Sequence, residues 1–210
     1  MTVKDKLVNS AIKVFSKNGY RDAKVAEIVR VAKANIAAVN YYFGSKEKLF
    51  AQVLRRSFEI SQETYPIDGG LSKDAPADQR LEAYARAIVA RTLDPGPAGA
   101  FSRIMAKTVQ SPGTPIDTIC NEITTLQIDP LKEILYDFLG PQDEHVYGVA
   151  VLNILGLGAV VANYPYVIEK IFGPKPDMDA LDTFINQQVT AITAATASFK
   201  NASFTVSSNR

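Results

Sequence analysis

Residues 34–50 combine small side chains with hydrogen-bonding ones. The stretch contains Asn35 and Asn40, two adjacent tyrosines, and a lysine, Lys46, directly after a Gly-Ser break. Small residues let a helix backbone come close to the edges of nucleic-acid bases, and the carboxamide of asparagine can pair bidentately with adenine. A nearby lysine can contact phosphate, which positions a protein without reading the order of the bases. These residue types predict a surface that lies against a polar polyanion.

The charge of the chain is divided between a basic beginning and an acidic remainder. Residues 1–56 hold twelve Lys and Arg against four Asp and Glu, a net charge of +8, whereas residues 57–210 hold eleven against eighteen, a net charge of −7. A basic segment on an acidic remainder is typical of a nucleic-acid-binding domain attached to another domain. Cys120 is the only cysteine, which excludes an intramolecular disulfide, and the first residues form no apolar run. We therefore expect a cytoplasmic protein without a signal peptide.

Apolar residues recur at helical spacing along the chain, and no segment shows sustained alternation with a period of two. This pattern predicts an all-α fold. Runs rich in Pro, Gly and Asp separate the predicted helices. The helices are expected at residues 3–17, 25–32 and 35–43, from the Ser45 cap onward, and at 77–92, 98–109, 116–139, 143–163 and 178–199.

The predicted helices at 25–32 and 35–43 are joined by only two residues. So short a link keeps two helices from lying antiparallel, and they must cross steeply, as in a helix-turn-helix with a third helix packed behind. The alternative for the aromatic residues is that they close a small core, and Asn40 could instead cap a turn. The side chains expected to contact DNA are Lys24, Lys33, Asn35, Ile36, Ala37, Ala38, Asn40, Tyr41, Tyr42 and Lys46.

One set of residues between positions 26 and 49 forms a recognisable motif: Ala26-Glu27-Ile28, Ala32, Asn35, Ala37-Ala38-Val39-Asn40-Tyr41, Phe43-Gly44-Ser45-Lys46 and Leu49. With these residues the segment 32–49 resembles the DNA-binding signature of TetR/AcrR-type transcriptional regulators. Three residues depart from the family pattern: Lys33 stands where the turn usually has Gly, Tyr42 where His is common, and Lys24 where Ser or Thr usually opens the second helix. A lysine in a left-handed turn costs about 1 kcal/mol relative to glycine.

The resemblance implies a domain organisation and a function. Residues 1–50 are expected to form the helix-turn-helix DNA-binding domain, residues 51–200 a helical effector-binding and dimerisation domain, and residues 201–210 a frayed tail. The expected protein is a homodimeric, ligand-responsive transcriptional regulator that binds a specific DNA sequence. The resemblance also implies a repressor that a small molecule releases from a palindromic operator. We expect that molecule to be lipophilic, because the stretch 145–166 is mostly apolar and its polar groups are neutral.

In the resembled family the later helices form the ligand pocket, and the last two pair with their counterparts in a four-helix bundle. Small residues in the helix near 143–163 and an apolar stripe in the helix near 178–199 suit such a dimer, although burial within one chain could also explain them. The expected interface residues are Gly148, Gly156, Ala159, Phe184, Val189 and Ile192. Isolated polar groups on apolar helices often face a ligand or buried water. The expected ligand-binding residues are Arg103, Met105, Tyr147, Asn153, Asn163, Tyr164 and Tyr166.

The other classes of function are a membrane-associated or adaptor protein and an enzyme. Residues 145–168 contain no Asp, Glu, Lys or Arg, so a membrane-associated protein or a helical adaptor that does not bind DNA is the alternative to a DNA-binding protein. An enzyme is not expected, because nothing in the spacing supports a Cys120–His145 nucleophile pair and Gly156-x-Gly158 follows no predicted strand. A single His and a single Cys also predict no metal site and no cofactor.

Overall fold

The computed structural model describes residues 1–109, 111–173 and 178–199. Every regular element in these residues is helical, which confirms the predicted all-α fold. The helices are α1 (Val3–Asp22), α2 (Val25–Ala32), α3 (Ile36–Phe43), α4 (Lys46–Thr64), α5 (Ala77–Leu93), α6 (Ala100–Val109), α7 (Ile116–Ile123), α8 (Asp129–Leu139), α9 (Glu144–Asn163), α10 (Pro165–Phe172) and α11 (Met178–Ser198). A 3-10 turn (Pro97–Gly99) precedes α6, and a π-turn (Thr124–Ile128) joins α7 to α8.

Side-chain caps set where α1, α3 and α4 begin. At α1 the Thr2 hydroxyl accepts the Asp5 backbone N–H at 3.1 Å, and the Thr2 backbone N–H donates to the Asp5 carboxylate at 2.8 Å. Asn35 accepts the Ala37 N–H at 3.0 Å, and Ser45 accepts the Lys48 N–H at 3.1 Å. Each cap satisfies a backbone donor that has no partner inside the first helical turn. The cap at Ser45 was predicted from the sequence and is confirmed.

The chain divides into two compact units, of which the first comprises residues 1–65 and 91–126. In this unit α1 packs against α2, α4 and α6, and α4 packs against α6 and α7. In the core, the Phe50 ring is contacted edge to face by Phe15 and by the half-buried Tyr20, with centroid separations of 5.1 and 4.9 Å. These contacts fix α1 against α4 and so support the short helices α2 and α3 between them.

The second compact unit comprises residues 66–90 and 127–210, and one of the three points at which the chain passes between the units lies within α5. Its core is formed by α5, α8 and α9, with Leu81, Tyr84, Leu131, Leu135 and Ile154 among its most deeply buried side chains. Helix α9 also packs against α10 and α11. Burial of these apolar side chains is the main driving force for assembling the unit.

The predicted helix at 116–139 is interrupted in the structure. Helix α7 ends at Ile123, the π-turn follows, and α8 begins at Asp129 with Pro130 in its first turn. Proline has no backbone N–H, and its ring clashes with the carbonyl four residues earlier in a continuous helix. The widened turn removes this conflict, and the hydroxyl of Tyr84 donates to the Gln127 carbonyl at 2.9 Å.

The uncharged segment 145–168 is not one helix. It is divided between α9 and α10, and Tyr164 separates them with Pro165 in the first turn of α10. Proline fits a first helical turn but cannot continue a preceding one, which explains why α10 forms a separate helix that the sequence analysis did not predict. None of the helices in the described residues has the length and apolar character needed to cross a membrane.

The expected domain boundary near residue 50 stays a prediction. The compact unit that contains α1–α4 also contains α6 and α7, and α6 is joined to α1 by two hydrogen bonds. The Lys107 ammonium donates to the Lys17 carbonyl at 2.6 Å, and the Tyr20 backbone N–H donates to the Thr108 hydroxyl at 3.2 Å. The expected frayed tail, residues 201–210, lies outside the described residues.

Candidate nucleic-acid interface

The turn between α2 and α3 is closed by backbone hydrogen bonds. Lys33 has φ 52° and ψ 46°, the left-handed conformation expected from its position in the turn. The Lys33 N–H donates to the Arg30 carbonyl at 3.3 Å, and the Ala34 N–H donates to the Val29 carbonyl at 2.9 Å. These bonds satisfy the last carbonyls of α2 and turn the chain sharply into α3.

Helix α3 has one buried and one exposed face. Val39 and Phe43 are buried, so the interpretation of Phe43 as a core residue is confirmed. Ile36 is 54% exposed and Tyr41 is 83% exposed. Ala37 and Asn40 are exposed, whereas Ala38 is half-buried. An exposed helix face with an isoleucine, an alanine, an asparagine and a tyrosine offers both apolar and hydrogen-bonding groups, which are the two kinds of contact that read base edges in a major groove.

The two asparagines of this region differ in what their side chains already do. The Asn35 oxygen accepts the Ala37 backbone N–H as the cap of α3. Asn40 lies in the last part of α3 and is exposed. Bidentate pairing with adenine uses both the oxygen and the nitrogen of the carboxamide. Asn40 is therefore the better placed of the two for that contact, and Asn35 also has a structural role.

The expected phosphate contacts Lys24 and Lys33 are exposed at the two ends of α2. Tyr42 is partly exposed, and its ring contacts that of Tyr41 edge to face at 4.9 Å. Lys46 is different, because its ammonium lies 4.5 Å from the centroid of the Tyr20 ring and donates to the Arg21 carbonyl at 3.2 Å. Partial burial lowers the pKa of Lys46. Lys46 therefore anchors the beginning of α4 to the end of α1, a role that the sequence analysis did not assign to it.

Tyr20 reaches Lys46 because α1 is kinked at Gly19. Gly19 has φ 69° and ψ −178° inside an otherwise helical segment. Burial raises the pKa of the Tyr20 phenol, with a smaller contribution from Glu47. Asn18-Gly19 was expected to end the helix, but the chain resumes a helical turn as far as Asp22. The Asn18-Gly19 pair thus marks a kink within α1. The next side chain, Tyr20, contacts Lys46 at the beginning of α4.

The residues expected to bind a ligand are placed in both compact units. Arg103 and Met105 belong to the first unit and the other five to the second. The Arg103 guanidinium donates to the carbonyls of Asp94 and Gly96 at 2.7 and 2.6 Å, and burial lowers its pKa. Met105 is half-buried. Arg103 therefore stabilises the loop before α6, and its assignment to a ligand stays a prediction.

In the second unit the five expected ligand residues have different environments. Tyr147 is buried, and its hydroxyl donates to the Gly140 carbonyl at 2.6 Å. Asn153 and Asn163 are exposed, and each donates to the carbonyl four residues earlier. Tyr164 and Tyr166 are exposed, with ring centroids 6.2 Å apart. The hydrogen bonds of Tyr147, Asn153 and Asn163 are made to carbonyls of the chain itself, and the assignment of these residues to a ligand stays a prediction.

The expected interface residues lie on α9 and α11. Gly148 and Gly156 are half-buried and Ala159 is exposed. Phe184 is half-buried, and Val189 is buried within the chain itself. The side chain of Ile192 lies outside the described ones. The dimer assignment therefore stays a prediction. The residues of α9 are accessible to a partner, whereas Val189 is already buried within the chain.

Replacing Lys33 by glycine is expected to stabilise the protein by about 1 kcal/mol, because glycine adopts the left-handed conformation without a Cβ penalty. For a chain of this size the gain corresponds to a rise in melting temperature of about 2–4 °C. Thermal unfolding followed by circular dichroism measures it. Lys33→Ala is the matched control, since it removes the same charge but keeps a Cβ. Equal melting temperatures for the two variants would show that the backbone conformation is not the source of the effect.

The region that contains α3 is similar in sequence to known proteins. Residues 7–53 match the model of the family described as bacterial regulatory proteins, tetR family. The chain is 44% identical over 55 residues to the HTH-type transcriptional repressor NicS of Pseudomonas putida, a stretch that covers 26% of each chain. It is 37% identical over 54 residues to the HTH-type transcriptional regulator QacR of Staphylococcus aureus, covering 26% of this chain and 29% of that protein. The aligned stretches thus span between a quarter and a third of these two curated relatives.

The likeness to a solved structure extends further than the likeness in sequence. The transcriptional regulator FadR from Bacillus subtilis, solved in complex with stearoyl-CoA, superposes with a TM-score of 0.66 and 15% identity. The superposition covers 90% of this chain and 97% of that one. At this identity the comparison establishes a shared helical fold. Helix α3 lies within residues 7–53, the stretch that matches the model of the tetR family of bacterial regulatory proteins.

Proposed function

We propose that this protein is a ligand-responsive transcriptional repressor that binds a palindromic operator as a homodimer. Residues 1–50 are the DNA-binding domain in this proposal, and residues 51–200 bind the effector and form the dimer. The observation that carries the proposal is the exposed face of α3, where Asn40 and Tyr41 project from a helix fixed by a tight turn. The net charge of +8 in residues 1–56 favours a polyanionic partner.

In the proposed complex, α3 lies in the major groove and Asn40 contacts base edges, while Lys24 and Lys33 contact phosphates. Phosphate contacts contribute affinity for any DNA, whereas base contacts distinguish the operator from other sequences. Two copies of the domain would bind half-sites about one helical turn apart, roughly 34 Å. A twofold-symmetric dimer and a palindromic operator match each other in this arrangement.

The exposed face of α9 supports the homodimer. Gly148, Leu152, Gly156 and Ala159 recur at helical spacing, and Leu152 is 73% exposed. A Cβ added at Gly148 or Gly156 would meet no atom of the described residues within 4 Å outside its own stretch of helix. An apolar residue between small ones on an open helix face permits close approach of a second helix. Burial of Leu152 against a partner would remove its apolar surface from water.

The effector is proposed to be a small lipophilic molecule, neutral or cationic, bound by the helices between residues 77 and 170. The resembled FadR was solved with stearoyl-CoA, so long acyl chains form a second group of compounds to examine. An effector can only shift the balance between two arrangements of the dimer by its difference in affinity for them, about 1–3 kcal/mol in typical cases. A cytoplasmic location belongs to the same proposal.

Selection of DNA from a pool of random fragments by the purified protein tests the function directly. We expect enrichment of a palindromic sequence, and we expect Asn40→Ala to reduce the preference for that sequence over a mutated one by about 10- to 100-fold. Lys24→Ala should instead weaken both DNAs equally. The selected operator then allows compounds to be screened for thermal stabilisation together with DNA release. Failure to enrich any sequence would contradict the proposal.

A further inference from the structure

A basic groove lies next to the exposed face of α3. It has a volume of about 320 Å³ and is bounded by Lys4 of α1, by Tyr42 at the end of α3, and by Lys48, Gln52 and Arg55 of α4. A water molecule occupies about 30 Å³ in the liquid, so the groove has room for a larger polar group. Lys4 and Lys48 are exposed, and no acidic residue lines the groove among those described.

The groove is continuous with the proposed DNA-binding surface. Tyr42, one of its walls, contacts Tyr41 on the exposed face of α3. The cap formed by Thr2 and Asp5 fixes the first turn of α1, which carries Lys4. The cap at Ser45 fixes the first turn of α4, which carries Lys48. The two lysines therefore project from positions that are already ordered, and a DNA backbone that leaves α3 at Tyr42 would meet them.

Arg55 differs from the two lysines because its charge is balanced within the chain. Its guanidinium donates through Nε and Nη2 to both oxygens of Glu122 on α7, at distances between 2.7 and 3.1 Å. The Glu122 side chain is only 8% exposed, whereas that of Arg55 is 54% exposed. Helix α7 is joined to α4 a second time, by the Thr118 hydroxyl, which donates to the Glu47 carboxylate at 2.6 Å. The buried carboxylate is thus held in place, and it neutralises the one arginine in the wall of the groove.

We propose that this groove binds a backbone phosphate of the operator beside the bases read by α3, and that Glu122 limits how much of the charge of Arg55 that phosphate meets. The inference rests on the proposed DNA-binding function and extends it. Lys4 and Lys48 supply the permanent positive charge, and Arg55 supplies a charge that depends on its pairing with α7. A change in the position of α7 would then alter the affinity for all DNA sequences without altering the contacts of α3 with bases.

The salt dependence of DNA binding tests the groove. Each phosphate contact that is lost reduces the slope of log affinity against log salt concentration by about one. Lys4→Ala and Lys48→Ala should each show this reduction and should weaken operator and random DNA by the same factor. Lys13→Ala is the matched control, because Lys13 is exposed on α1 but lies two and a half turns from Lys4, on the opposite face. It should leave the slope unchanged.

These measurements also distinguish a failure of the groove proposal from a failure of the proposed DNA-binding function. If Lys4→Ala and Lys48→Ala behave like Lys13→Ala while Asn40→Ala still loses its preference for the operator, the groove is not a DNA contact and the function stands. If the wild-type protein binds no DNA, the proposed function fails and the groove with it. Unchanged melting temperatures of the lysine variants show that the difference arises in binding and not in folding.

Glu122→Gln tests the role of the buried carboxylate. The substitution keeps the shape of the side chain and removes its charge, so Arg55 becomes available to the phosphate. We expect about 3- to 10-fold tighter binding of operator and random DNA alike, with a salt slope steeper by about one. Arg55→Gln in the Glu122→Gln background should abolish this gain. Unchanged or weaker binding by a Glu122→Gln protein of normal melting temperature would overturn the role of Glu122.

Discussion

Gly19→Ala is expected to destabilise the protein by about 3 kcal/mol. The backbone at Gly19, with φ 69° and ψ −178°, lies in a region that is almost restricted to glycine, and strain there costs about 1–3 kcal/mol. A Cβ at this position would also lie 2.9 Å from the backbone carbonyl oxygen of Lys107 on α6. A backbone group cannot move aside as a flexible side chain can, and such overpacking costs a further 1–3 kcal/mol, roughly. Denaturation by urea, followed by circular dichroism, measures the loss.

Gly44→Ala distinguishes the cost of backbone strain from the cost of overpacking. Gly44 also has a positive φ, 75°, but a Cβ there would meet nothing within 4 Å. Its replacement should therefore cost only the backbone strain, about 1 kcal/mol. Gly19→Ala must cost clearly more than Gly44→Ala if α6 packs against the kink of α1. Equal losses in the two variants would contradict that packing, and with it the position of Tyr20 beneath Lys46.

Gly156→Leu is expected to convert the proposed dimer into monomers. Among the described residues, a Cβ at this position meets nothing within 4 Å outside its own stretch of helix, and we expect the variant to fold. Replacing a glycine inside a helix even raises helix propensity by about 1 kcal/mol. In a symmetric dimer built on α9, however, two leucines would enter the same small gap and push the helices apart. Light scattering of the DNA-free protein measures the mass.

Glu133→Leu is the matched control for this prediction. Glu133 is exposed on α8, and its replacement adds the same side chain away from the proposed contact. The control should remain a dimer. Since each monomer can bind only one half-site, Gly156→Leu should also weaken operator binding. A dimer of unchanged mass in Gly156→Leu would place the interface on another surface.

Local patterns in the sequence were sufficient to predict most of the helices and the exposed face of α3. Helix α2 and the C-terminal boundary of α3 agree with prediction because Lys33 and Gly44 terminate those helices through local backbone conformation. The exposed face of α3 was predicted because apolar residues on one side of a short helix must face a core. The left-handed conformation of Lys33 followed from its place in the family motif.

Contacts between residues far apart in the chain were not predicted. Arg55 and Glu122 are 67 residues apart, and each is unremarkable in its own helix. Lys46 was expected to contact phosphate, and its contact with Tyr20 depends on the kink at Gly19, whose direction the sequence does not indicate. The π-turn before α8 depends on how Pro130 is accommodated, since a proline can end, bend or widen a helix.

Cys120 is a site at which a spectroscopic label can be attached to this protein without mutation. It is the only cysteine, it is exposed, and α7 belongs to the same compact unit as the helices of the proposed DNA-binding surface. A nitroxide spin label attached to this thiol would therefore move with that surface, and a homodimer would carry two labels without any engineered cysteine. Pulsed electron paramagnetic resonance would then report the distance between the two labelled units. Adding operator DNA or a candidate effector to the same sample would show whether each narrows or displaces the distribution of that distance.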